Sequence, residues 1–221
     1  GYISDNFVSF TLSNFSGQTV IGTNTSSFYG MDFDPAAEVL WALNDSSDEL
    51  GTINLTNGSF SSVVACPPGG GAENWTGLTI DPVSGTFYAS TATNLYTIDP
   101  NTGVATPIGS FGTSSMIDIA MNADKELYGH DIGTDSIYSI DISTGEATLV
   151  GETGYDANYA QGMDFDNEDG TLYIFLYFGS GSNIYGTVDL ATGAVSPLAT
   201  SSPEGEFEGA YVYREYSQEQ E

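Results

Sequence analysis

The chain has 221 residues, 40% of them hydrophobic and 13% aromatic, and 30 acidic residues face two basic ones for a net charge of -28. That balance supports a packed core rather than disorder, and it argues against nucleic acid, whose phosphates are held by Lys and Arg, and against anionic membrane surfaces. No apolar run approaches the roughly 20 residues of a membrane-spanning helix, and the lone Cys66 excludes an internal disulfide or a thiolate metal cluster.

The first recognisable element, NFVSFTLSNFSGQTVIG from Asn6, reads as two alternating strands around a turn at Gly17. After it comes YGMDFDPAAEVLWALN from Tyr29, an alternating run that ends in Asp34, turns, and resumes with the apolar-aromatic pair Leu40-Trp41. The stretch LGTINLTNGSFSSVV then repeats the strand-turn-strand form with Gly58 in the turn. The same two modules recur in TGLTIDPVSGTFYAST with LYTIDPNTGVATPIG, in IDIAMNADKELYGHD with IYSIDISTGEATLVG, and in QGMDFDNEDGTLYIFL with IYGTVDLATGAVSPLA. The last element, FEGAYVYREY, matches the opening strand of the first module alone.

Each unit is two successive hairpins, since Gly at the second turn accepts the positive φ that closes it. Equivalent positions Gly30, Gly77, Asp118, Gly162 and Gly209 are spaced by 47, 41, 44 and 47 residues. Four strands at such a period mark a β-propeller blade. The expected fold is therefore all-β: a five-bladed propeller of four-stranded antiparallel blades in one domain, 1–221, with its ring closed by the amino-terminal strands and the carboxy-terminal strand. Blades are expected at about 28–66, 75–112, 116–152, 160–200, and 207–216 together with 6–24. Neither GYIS nor SQEQE reads as the second strand of that last blade, which leaves either a three-stranded blade or a chain cut from a longer protein.

The motif DP-x-x-G-x-LY…LYxIDxxTG resembles the secreted bacterial propeller repeats of the YVTN and NHL type, from residue 7 to 213. The resemblance implies the fold strongly and function weakly, because such repeats serve in adhesins, in modules of secreted hydrolases, in binding proteins and in some lyases. With the acidity and the scarcity of Lys, it implies a secreted or cell-surface location.

Residues found at the same place in several blades read as structural. Asp34, Asp81, Asn122 and Asp166 at the first turn, and Asn54, Asp99, Asp141 and Asp189 at the second, are expected to bond nearby backbone amides. Departures from the repeat are the functional candidates. Asp32, Asp118 and Asp164 on the innermost strands would bring three carboxylates toward the channel, to bond backbone, to hold Ca²⁺, or to act as the acids of a glycosidase or lyase. His130 reads as a surface residue. Two long connections, 64–75 and 152–162, offer Trp75, Tyr155, Asp156, Asn158 and Tyr159 as ligand contacts, although core packing is the readier reading of Trp75. In DFDNEDGTLY, the acids Asp164, Glu168 and Asp169 suggest a Ca²⁺ contact, but the spacing fails the EF-hand pattern and a hairpin turn is preferred. The function expected is a non-enzymatic recognition or structural module for an extracellular protein or glycan, joined to other domains or assembly subunits. The runners-up are a carboxylate-dependent glycosidase or lyase and a plain structural spacer.

Overall fold

A computed structural model describes residues 2–3, 6–24, 26–69, 73–159, 162–201 and 207–213. The amino-terminal strands are β1 (Tyr2–Ile3), β2 (Asn6–Thr11) and β3 (Asn14–Thr23). The first internal blade is β4 (Phe28–Asp34), β5 (Val39–Asn44), β6 (Glu49–Ile53) and β7 (Phe60–Ala65); the second is β8 (Trp75–Ile80), β9 (Phe87–Thr91), β10 (Asn94–Ile98) and β11 (Ala105–Ser110). The third is β12 (Met116–Met121), β13 (Leu127–Asp131), β14 (Ser136–Ile140) and β15 (Ala147–Glu152); the fourth is β16 (Gly162–Asp166), β17 (Thr171–Tyr177), β18 (Asn183–Val188) and β19 (Val195–Ser201), before the last strand β20 (Phe207–Gly209).

These strands make five four-stranded antiparallel sheets, four of them in chain order and the fifth in the order β20-β1-β2-β3. The two ends of the chain therefore share one sheet, which joins the first and last blades without an open edge between them. The closing blade is four-stranded. Its second strand is Tyr2–Ile3, with Tyr2 opposite Gly209 on one side and Phe7 on the other. A two-residue strand carries no readable alternation, which is why GYIS did not declare itself.

Apolar residues from facing sheets bury each other between consecutive blades. Leu43 and Leu50 meet Leu78 and Ile80, and Tyr88 and Leu95 meet Met116 and Ile119. The closing interface is aromatic: Phe175 stacks on Phe207 with ring centroids 4.0 Å apart, and Phe15 stacks on Tyr185 at 5.5 Å. Ring pairs of this kind add to plain burial, and they concentrate where the sheet is built from two distant pieces of chain.

The repeated acids and amides fold the turns. Asp34 accepts the amides of Ala36 and Ala37, Asp81 those of Val83 and Ser84, Asn122 those of Asp124 and Glu126, and Asp166 that of Glu168. At the second turn Asn54, Asp99, Asp141 and Asp189 each accept the amide two residues on. A side chain that bonds its own turn is satisfied within a few residues, so Asp or Asn suffices at both corners of the four internal blades.

Candidate functional site

Residues two apart on a strand share a face, so each innermost strand directs a short row toward the next blade. On β4 that row includes Gly30 and Asp32, on β8 Gly77 and Thr79, on β12 Asp118 and Ala120, and on β16 Gly162 and Asp164. Asp32 Oδ2 accepts the Ile80 amide at 2.6 Å and the Thr79 hydroxyl at 3.0 Å, while Oδ1 accepts the Phe33 amide. Thr79 in turn accepts the Met121 amide at 3.1 Å. Asp164 Oδ2 accepts the Val212 amide, and its Oδ1 the amide of Phe165. Three first strands, β4, β8 and β16, are thus each latched by a side chain to the main chain that follows around the ring.

The third blade departs from this pattern. Ala120 has no polar atom to offer, and the latch moves one pleat along β12, where Asp118 Oδ2 accepts the Met163 amide at 2.8 Å and Oδ1 that of Ile119. Other blades carry Gly there because the strands approach too closely for a side chain: a Cβ on Gly77 would stand 2.9 Å from the Ile119 nitrogen, and one on Gly162 would stand 2.9 Å from that of Ala210. Asp118 and the Gly162 strand are far enough apart for a carboxyl to bridge them.

Asp32, Asp118 and Asp164 are 8%, 4% and 7% exposed. Burial disfavours the charged form, and it pushes Asp32 up to about 6, against the lowering effect of its hydrogen bonds. Burial likewise raises Asp118 and Asp164 well above the ordinary carboxylate range, and the negative charge at Asp32 adds to both. Asp32 and Asp164 also border a cavity of about 230 Å³ at the turn end of the channel, with Phe33, Pro82, Phe165 and Glu168. Both oxygens of every channel carboxyl already accept a main-chain proton, so the first task of the array is to hold blades in register. Thr79→Val tests the latch by removing both the acceptor of the Met121 amide and the hydroxyl donor to Asp32. It strands the buried Met121 amide, which should remove about 1–3 kcal/mol and lower the melting temperature by several degrees in a chain of this size; calorimetry of the variant measures it.

The two long connections behave differently. Trp75 is 1% exposed, its indole N–H donates to the Cys66 carbonyl at 2.7 Å, and its ring meets Tyr96 edge-on at 5.4 Å. Its place in the core gives a reason other than ligand contact for an aromatic there. Cys66 is buried beside it, where desolvation holds the thiol up at about 11. In the other connection, the Thr153 amide donates to Asp135 O and the Ala157 amide to Asp135 Oδ1, both at 2.8 Å. This pins the loop ends, while Asp156, Asn158 and Tyr159 stand exposed and Tyr155 rests on Phe178 with ring centroids 5.9 Å apart. Tyr159 is 69% exposed at φ 62, a conformation uncommon for a bulky side chain. Residues 160 and 161 of this connection, and the end of the expected last blade from 214 to 216, lie outside the described residues.

Comparison of the sequence with family models matches residues 9–182 to a repeat of unknown function, DUF6923. The chain belongs to the DUF6923 repeat family. No curated protein matches it. Among solved structures, a chain of a nidogen/laminin complex is similar to the DUF6923 repeat with a TM-score of 0.64 and 12% identity over 95% of each chain. Virginiamycin B lyase from Staphylococcus aureus gives 0.56 and 16% identity over 95% of this chain and 68% of that one. The aldose sugar dehydrogenase of Streptomyces coelicolor gives 0.54 and 13% over 95% and 76%. Likeness at these identities is likeness of fold, shared here by a partner in a protein complex and by two enzymes.

The DUF6923 repeat holds two features that the sequence did not announce. His130 is 0% exposed rather than on the surface, and it stands directly opposite Asp118 across β12 and β13. The corresponding pairs elsewhere are Gly30 with Leu43, Gly77 with Ser90 and Gly162 with Phe175. The signal was available, since counting from the repeat puts His130 where Leu43 and Phe175 are core residues. As for calcium, Asp164 faces the channel while Glu168 and Asp169 are exposed in the turn beyond it, and Asp169 Oδ1 accepts the Thr171 amide. Among the described residues no group of three or more His, Cys, Asp or Glu is placed to hold a metal ion.

Proposed function

We propose that the protein is a non-enzymatic propeller, secreted or displayed at the cell surface, that serves as a recognition module for an extracellular protein or glycan within a larger protein or assembly. One observation supports this most: Asp32, Asp118 and Asp164, the acids that chemistry at the channel would need, are occupied as latches between blades. A rigid ring is then free to present loops. The 152–162 connection supplies a candidate contact patch in Tyr155, Asp156, Asn158 and Tyr159, pinned at its base and exposed at its tip, with backbone strain of the kind that gathers at binding sites. The charge of -28 favours cationic partners or divalent counter-ions over anionic ones.

Screening on glycan and peptide arrays tests the reading. A ligand that binds the wild type should lose about tenfold or more in affinity with Asn158→Ala and Tyr159→Ala, both at exposed positions, with circular dichroism checking that each variant keeps its fold. Retention of full affinity in both variants removes the patch from the proposal. A second reading, a carboxylate-dependent glycosidase or lyase, draws support from the raised Asp32 carboxyl at about 6, a value suited to an acid. It requires turnover of a glycan substrate that disappears in Asp32→Asn and Asp164→Asn while the fold persists. A structural spacer would show neither binding nor turnover.

A further inference from the structure

Two departures from the repeat meet in space. The hairpin of β17 and β18 reaches further than its counterparts: pairing continues past Phe175 to Tyr177 opposite Asn183, whereas β5, β9 and β13 end theirs at Asn44, Ser90 and Asp131. Its tip is closed by the Phe178 amide, which donates to Ser182 O at 2.9 Å, and by the Gly181 amide, which donates to the Tyr177 hydroxyl at 3.3 Å. The 152–162 connection rests on this tip. The Asn158 amide donates to Tyr177 O at 2.7 Å, and the rings of Tyr155 and Phe178 lie 5.9 Å apart at an angle of 35°. Both rings pack on the core shared by the third and fourth blades and are only half-buried. They form a fixed aromatic ledge, and Asp156, Asn158 and Ser180 stand exposed around it.

We propose that this ledge is a carbohydrate subsite for one hexopyranose residue of an extracellular glycan, a residue that is uncharged or carries an amine; the proposal rests on the recognition reading above and narrows its ligand. A pyranose has an apolar C–H face and a rim of hydroxyls. The face of an aromatic ring is electron-rich and suits the first, while Asp156 as acceptor and Asn158 and Ser180 as both donors and acceptors suit the second. Rigid aromatic contacts ordered before binding cost little entropy, and small polar side chains adapt the hydrogen bonding around them. An extended peptide is the poorer fit, because it binds by main-chain pairing. The connection's amides at Thr153, Ala157 and Asn158 are already given to Asp135 and Tyr177. The excess of 30 acids over two bases selects against uronic acids and other acidic sugars.

The probes are tetrasaccharides of glucose, mannose, galactose and glucosamine, with tetragalacturonate as the acidic control, titrated into the full chain by calorimetry beside a peptide array. At least one neutral or amine-bearing tetrasaccharide should bind at least tenfold more tightly than tetragalacturonate. Phe178→Leu, which keeps apolar bulk and removes the ring, should weaken it at least tenfold, and Asp156→Ala, at an exposed position, by about threefold or more. Circular dichroism checks the fold of each variant, and Tyr155→Leu, with the same expected loss, gives the ring's contribution a second measurement. Equal affinity for tetragalacturonate, or binding that survives both ring variants, overturns the proposal. If no tetrasaccharide binds but an array peptide does, and that peptide is lost in Asn158→Ala, the subsite is refuted and the recognition patch stands. If neither class binds, both readings fall.

Discussion

Gly109→Ala is expected to lower stability by about 3 kcal/mol or more, near the upper end for overpacking, and the melting temperature by roughly ten degrees in a chain of this length. Gly109 lies in β11, and a Cβ built on it would overlap the carbonyl oxygen of Thr144 in the second turn of the next blade. The obstacle is main chain on both sides, so no rotamer change can relieve it. Facing it, Gly145 combines this approach with a φ of 80, and its Cβ would come 2.6 Å from the Gly109 oxygen. The same contact repeats around the ring, Gly22 against the Asn57 carbonyl, Gly103 against that of Ala65 and Gly151 against that of Thr192. Gly85 provides the control: its φ is 71, but a Cβ there meets nothing within 4 Å, so Gly85→Ala carries only the penalty of the left-handed backbone, about 1–2 kcal/mol. A melting series that ranks Gly109→Ala with Gly85→Ala, rather than well below it, would show that the blades separate easily and that the outer contacts do not set the ring's rigidity.

These contacts also mark what sequence could and could not reveal. The glycines of the second turn were legible as turn residues because Thr-Gly or Asn-Gly stands in each unit, but their approach to the preceding blade joins residues that no local period relates. Asp34 and its equivalents were readable for the opposite reason: an Asx turn is complete within a few residues. The channel acids fall between these cases. Repetition brought Asp32 and Asp164 to one position and showed Asp118 to be out of place, yet the latch itself depends on the stagger between neighbouring innermost strands. Ala120 could be seen as a gap in the row, and only the structure pairs that gap with Asp118 one pleat away. Trp75 illustrates the limit for single aromatics, since a loop edge in sequence became the buried side of a blade junction through one hydrogen bond to Cys66 O.

His130→Leu is expected to stabilise the protein, by about 1–3 kcal/mol near neutral pH and by more in mild acid. The ring is fully buried, and neither nitrogen has a hydrogen-bond partner among the described residues, a desolvation penalty that leucine does not incur. Leu43 occupies the same place in the first internal blade, opposite Gly30. Burial lowers His130 from 6.5 to about 4 against the opposing pull of Asp131, so the stability of its neutral form is complete above pH 6.5 and is lost as pH falls toward 4. The gap is worth roughly 3 kcal/mol at the acid end. Asp32 acts in the other sense: with its carboxyl raised from 3.8 to about 6, its contribution is complete below 3.8 and is lost as pH rises through 6. The two windows overlap, and in the wild type they offset each other between about 4 and 6. Removing His130 should uncover a stability that climbs as pH falls from 7 to 4.5, readable from urea unfolding across that range. The neighbours of His130 in the sheet are Asp118 opposite on β12 and Ile137 opposite on β14, with Asp131 next along the strand. Asp118→Gly with His130→Leu restores the Gly-Leu pair of the first internal blade, and the double-mutant cycle isolates the coupling between the two departures. Coupling near zero would make them separate accidents of one blade. A His130→Leu variant less stable than wild type at both ends of the pH range would instead mean that the imidazole holds a partner in the core, and would move the site of interest from the channel acids to this pair.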